Sequence, residues 1–153
     1  MANTFSKVYL HIVFSVKGRQ NLIHKKWEDE LHKYICGIVD GKDHKIYAIG
    51  GVADHIHILV SIRPNILISN LVRDIKGNSS RWINERGFVQ GRFQWQEGFG
   101  VFSYAQSQLD VIIAYINNQE QHHKQETFRS EYINILQKFK VEYEDKYLFD
   151  WIE

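Results

Sequence analysis

The stretch "HKIYAIGGVADHIHILVSI", residues 44–62, limits the fold more than any other part of the chain. β-Branched and apolar runs flank a short break at Ala53 and Asp54. This predicts two strands, Lys45 to Val52 and His55 to Ile62, joined by a tight connection. Strand alternation sends Ile56, Ile58 and Val60 to one face, and His55 and His57 to the other. Two imidazoles side by side on a sheet admit two readings. Either they are polar residues satisfied on a half-exposed face, or they converge on a metal ion.

The flanking segments supply the rest of a sheet and its helices. Tyr9 to Val16 is a β-rich run stopped by Gly18. "HKKWEDELHKYICGIVDG" carries Trp27, Leu31, Tyr34, Ile35 and Ile38 at helical spacing, with Gly41 as its stop. A second helix is predicted from Ile68 to Glu85, ended by Gly87, and "FQWQEGFGVFSYA" reads as a fourth strand. Ser107 and Asp110 form an S-x-x-D cap before a third helix, "LDVIIAYINNQEQHH". A tail helix from Phe128 to Tyr143 follows, and "YLFDW" reads as an apolar strap on the body. The order β-α-β-β-α-β is the ferredoxin-like (RRM-like) α+β pattern with an antiparallel sheet, extended by the third helix and the tail helix. Its first and third strands are central, which places His55 and His57 mid-sheet.

A chain of 153 residues, 44% hydrophobic and 24% charged, fits one globular domain over residues 1–153. No stretch approaches the ~20 apolar residues that span a bilayer. The single Cys36 excludes an internal disulfide and a cysteine-based zinc cluster. "YLHIVFSV" lacks the flanks of a signal peptide, so a cytoplasmic location is expected. The net charge of +1 hides an asymmetry: residues 1–26 hold five basic and no acidic side chains. Residues 63–92 hold six basic and two acidic ones, and the last 23 residues reverse the balance. Such blocks are either solvated surface or a local cationic groove for an anionic polymer.

On the third helix Leu109, Ile112, Ile113 and Ile116 form the core stripe, and Tyr115 and Gln119 stand one turn apart on its flank. Read alone, Tyr115 is an amphipathic filler, Gln119 is solvated, and His122 and His123 are a polar helix end. Together with the histidine pair they offer parts for phosphoryl transfer. Two imidazoles and an amide oxygen can bind a divalent ion and leave positions for phosphate oxygens, and a nearby phenol can attack phosphorus.

At these residues the chain resembles a known family. "DHIHILV" matches the His-hydrophobic-His motif of HUH endonucleases, and "YINNQEQHH" matches the Tyr-x-x-x-Gln helix of the single-tyrosine transposases of small insertion sequences, the IS200-like type. "YLHIVFSVKGRQ", "LVRDIKGNSSRWIN", "WQEGFGVFSYAQSQ" and the tail segment are similar to that family as well. The resemblance implies that His55, His57 and Gln119 hold Mg2+ or Mn2+. It implies that Tyr115 is the nucleophile, cleaving and rejoining single-stranded DNA through a 5′-phosphotyrosine link. It further implies a homodimer, in which the tyrosine helix of one chain completes the metal site of the other, acting on hairpins at the ends of an insertion sequence, with no membrane partner. Lys7, Lys17, Arg19, Arg73, Lys76 and Arg81 are candidates for DNA backbone contacts, from charge and position. Two alternatives stay open: a metal-free single-strand binder that stacks bases on sheet aromatics such as Phe14 and Tyr47, and a phosphodiesterase that uses water.

Overall fold

The computed structural model describes residues 4–124 and 126–144, apart from the side chains of Arg19 and His122. Four strands form one antiparallel sheet: β1 (Tyr9–Ser15), β2 (Lys45–Val52), β3 (His55–Ser61) and β4 (Gly100–Ser103), in the order β2-β3-β1-β4. Helix α1 (Lys25–Asp40) follows β1, and α2 (Ile68–Arg86) follows β3. The predicted ferredoxin-like order is therefore present, with β1 and β3 in the centre. Parity then divides the side chains. Leu10, Ile12, Phe14, Ile56, Ile58 and Val60 pack under α1 and α2 in the larger core. His11, Val13, His55, His57 and Leu59 take the opposite face, because β1 and β3 pair Val13 with His57 and His11 with Leu59.

That second face is covered, not half-exposed. Helices α3 (Leu109–Asn117), α4 (Gln119–His122) and α5 (Phe128–Lys138) supply the cover. Leu109, Ile112 and Ile116 pack on Ala48 and Leu59, while Phe128, Tyr132 and Leu136 pack on Val13 and Phe102. Gly50, paired with His57, permits the closest approach: a Cβ there would collide with the carbonyl oxygen of Ile116. Gly87 ends α2 in the left-handed region, φ 65°.

Several boundaries differ from the sequence expectation. The predicted third helix is broken at Asn118 (φ −107°, ψ 24°) into α3 and α4. Its "NN" pair favours local side-chain bonding over continued helix. Ser107 does not cap it. Residues 106–108 form a 3₁₀ turn, and the Ala105 N–H donates to the Gln108 side-chain oxygen at 2.9 Å. The fourth strand keeps only four residues, since residues 93–99 turn back on α2. There the Trp95 indole N–H donates to Ser79 Oγ (2.9 Å) and Lys76 Nζ donates to the carbonyls of Gln96 (2.8 Å) and Gly98 (2.5 Å). The tail helix stops at Lys138, and "YLFDW" lies outside the described residues. No helix among the described residues is long and apolar enough to cross a membrane.

Candidate active site

Three elements carry side chains to one point on the covered face. From β3, His55 and His57 are both fully buried. From the α3–α4 break come Tyr115 and Gln119, and the Gln119 amide donates back to the Tyr115 carbonyl (3.4 Å). The tail helix α5 adds Glu131, 2% exposed, which the sequence reading passed over. Its Oε1 lies 3.1 Å from His57 Nε2, 3.4 Å from His55 Nε2 and 3.1 Å from His123 Nε2. Its Oε2 accepts hydrogen bonds from the Gln119 amide (3.2 Å) and from the Tyr115 hydroxyl. Gln119 Oε1 stands 3.3 Å from His55 Nε2 and 3.1 Å from His123 Nε2. His123 is thus part of the cluster and not a solvated helix end. The α4 turn that begins after Asn118 swings it back.

The rings are held from behind. Asp54 Oδ1 lies 2.7 Å from His55 Nδ1, and His11 Nε2 lies 2.7 Å from His57 Nδ1. Burial alone would lower His55, but hydrogen bonds with Asp54 and Glu131 outweigh it and raise the imidazole above its usual value. Burial pushes His57 down to about 4 and His11 well below the ordinary range, so both are neutral near pH 7. Burial would raise Glu131, yet bonds from His123, His55 and His57 hold the carboxyl far below the usual carboxylate range. Burial, and then the Glu131 charge, push the Tyr115 phenol well up. Without a cation, Tyr115 is a neutral, tethered hydroxyl.

His55, His57, His123 and Glu131 offer ligand atoms within 4.8 Å of one another, and Gln119 Oε1 borders the same space. Donors about 2.1 Å from one ion stand roughly 3.0 to 3.4 Å apart in octahedral or tetrahedral geometry. The N···O separations here, 3.1 to 3.4 Å, match that spacing. Imidazole, amide and carboxylate donors suit a first-row divalent ion, Mn2+ over Mg2+ on softness.

The basic candidates divide. Lys17, Arg73, Lys76 and Arg81 line one groove of about 1330 Å³ between α2 and residues 91–99, joined by Arg92, which the sequence reading did not single out. Lys7 lies apart, in a smaller cleft with Lys45 and Arg63. The Arg19 side chain lies outside the described residues. The groove is on the α2 side of the sheet and the histidine cluster on the other side.

The fold and the cluster define a class of protein: a ferredoxin-like α+β domain with a buried histidine–glutamate group set against a tyrosine-bearing helix. Residues 4–119 match the sequence model of the family described as "Transposase IS200 like", and the chain belongs to that family. The match ends at Gln119, so His123 and Glu131 lie beyond it. Two curated relatives, each a transposase for insertion sequence element IS200, come from Salmonella typhimurium and Salmonella typhi. Each is 28% identical over 86 residues, 56% of this chain and 57% of the relative. The match thus spans little more than half the length of those proteins. Among solved structures, a protein from Deinococcus radiodurans R1 assigned as a transposase has TM-score 0.61 at 20% identity, over 78% of this chain and 95% of its own. A REP-associated tyrosine transposase bound to a REP hairpin has TM-score 0.60 at 14% identity, over 80% of this chain and 73% of its own. These two likenesses establish the fold.

Proposed function

We propose that this chain is a transposase that cleaves and rejoins single-stranded DNA through Tyr115. What supports the reading is the convergence of Tyr115, His55, His57 and Gln119, drawn from separate elements, at one buried cluster. Attack by the Tyr115 oxygen forms an O–P bond and breaks the P–O3′ bond, leaving a 5′-phosphotyrosine and a free 3′-hydroxyl. Glu131 Oε2 accepts the hydrogen bond of the phenol and orients it, the phenol proton leaves to solvent, and the departing 3′ oxygen takes up a proton from solvent. His55, His57 and Gln119, with Glu131 and His123 within reach, would hold a Mg2+ or Mn2+ ion, which would supply positive charge beside the phosphate and the phenol. Because the link conserves the phosphodiester, a second 3′-hydroxyl can reverse it without a nucleotide cofactor. Hairpin DNA of an insertion-sequence end is the proposed substrate, by likeness to the neighbour bound to a hairpin, and the α2 groove is its proposed seat. The proposed setting is the cytoplasm.

Of the two aromatics of the base-stacking alternative, Tyr47 is half-buried with its ring edge-on to Tyr9 at 5.6 Å, and Phe14 is not available. Phe14 is fully buried under α2, 4.8 Å from the Trp95 ring, and helices cover both faces of the sheet. Covalent capture separates the remaining readings. Labelled single-stranded DNA from the ends of the chain's own locus, with Mn2+, is expected to give a denaturant-resistant protein adduct. Tyr115→Phe should lose it and keep DNA binding. Cleavage without an adduct would make water the nucleophile.

A further inference from the structure

His11 is a buried histidine to which the family resemblance gives no role and which lies outside the donor cluster. It sits on the central strand β1, fully buried, with its ring stacked on His57 at 4.9 Å and 25°. Phe102, Tyr104 and Tyr115 surround it, with ring centroids 6.0 to 6.4 Å away. Its Nε2 makes one hydrogen bond, to His57 Nδ1 at 2.7 Å. Its Nδ1 is buried and has no partner. An orphaned buried polar atom costs stability, and a leucine or phenylalanine here would carry no such atom of its own, though it would take away the one partner of His57 Nδ1. Something other than packing has to account for an imidazole here.

The hydrogen bond between the two rings supplies the reason. It needs one N–H and one lone pair, so the two nitrogens cannot both be bare or both protonated. His57 points Nε2 into the donor cluster. For that nitrogen to bind an ion it must be bare, which moves the ring proton to Nδ1 and requires an acceptor behind it. His11 Nε2 is the atom in that place. His11 then carries its own proton on Nδ1, the orphaned position. His55 receives the equivalent service from the Asp54 carboxylate at 2.7 Å.

We propose that His11 is the positioning residue for His57: it accepts the Nδ1–H hydrogen bond, fixing the ring and the tautomer in which Nε2 binds the metal. The proposal rests on the reading of His57 as a metal ligand. Its cost explains the orphaned nitrogen, a local instability kept for function.

The test is Mn2+ binding by titration calorimetry, alongside thermal melts, for His11→Phe, His11→Gln and His57→Ala. His11→Phe should weaken Mn2+ about 10–100-fold, the range for loss of an outer partner. Its melting temperature should change little, because the substitution removes one orphaned nitrogen, His11 Nδ1, and leaves another, His57 Nδ1. A residue that only packs would leave Mn2+ affinity unchanged whatever it did to the melting temperature. His11→Gln, which restores an acceptor oxygen, should recover most of the affinity. Phe binding Mn2+ as tightly as wild type, or Gln no tighter than Phe, would overturn the proposal. Should His11→Phe not fold, nitrogen NMR of the histidine-labelled wild-type protein with saturating Mg2+ decides. A His57 Nδ1–H tautomer supports the role and an Nε2–H tautomer ends it. His57→Ala with wild-type Mn2+ affinity would remove the metal reading itself, a failure distinct from that of His11 alone.

Discussion

Lys76 shows how burial sets the working range of a single charge. Its ammonium sits over the Phe14 and Phe99 rings, at 5.4 and 6.0 Å from their centroids, and donates to two backbone carbonyls. Burial lowers it to about 8, which leaves it charged at pH 7 and neutral at pH 9. If the α2 groove holds DNA phosphates, affinity should fall as pH rises through 8. The salt dependence should shrink by roughly one phosphate contact, a slope change of about 0.7 to 0.9. Stability should move the other way. The folded lysine loses its proton before the unfolded one does at 10.5, so the fold gains stability between pH 8 and 10.5. Filter binding and melts at pH 7 and 9 therefore separate lost binding from unfolding. Lys76→Gln should flatten the binding profile. A wild-type profile already flat over that interval would take Lys76 out of the phosphate contacts.

At the scale of elements, the site exists because α3 lies close enough on the sheet for Tyr115 to reach His57, with ring centroids 5.8 Å apart. Gly50 permits that approach, so Gly50→Ala should push the Ile116 carbonyl, and α3 with it, off β2. The expected cost is about 1–3 kcal/mol of stability in denaturant melts. Adduct yield should fall further, since a 1 Å displacement of a reacting group costs about 100-fold. Gly37→Ala is the control: nothing lies within 4 Å of a Cβ there, and alanine in the middle of α1 should add roughly 0.5–1 kcal/mol. Much of this layout was legible in the sequence, because strand parity and helical period are local properties. They placed His55 with His57 and Tyr115 with Gln119. Glu131 was not legible, since a glutamate on an amphipathic tail helix carries no local mark of the face that β4 and β1 will cover. His123 depended on the break at Asn118. His11 had the right parity in "YLHIVFS", but only the β1–β3 register made it a neighbour of His57.

For the whole molecule, the question is whether one chain makes a complete site. Tyr115 is hydrogen-bonded to Glu131 of its own chain and stands against its own His57, and the connection from β4 to α3 is short, residues 104–108. In a homodimer of the kind the family resemblance implies, two arrangements would differ in outcome. If each chain keeps its own tyrosine helix, both halves of the machinery are lost together in any chain that loses one. Mixing Tyr115→Phe with His57→Ala should then give no adduct, whatever the ratio. If helices α3 and α4 exchange between chains, each mixed dimer holds one site with both an intact Tyr115 and an intact histidine pair. Up to half the sites of a mixed dimer would recover, with yield tracking the fraction of mixed species. Exchange would strip Ile112 and Ile116 from Ala48 and Leu59 and rebuild the same contacts across the interface, so this packing sets a barrier to exchange and no preference between the two states. Recovery of the adduct on mixing, after co-refolding to allow exchange, would show that the single-chain arrangement is one of two states joined by movement of that helix.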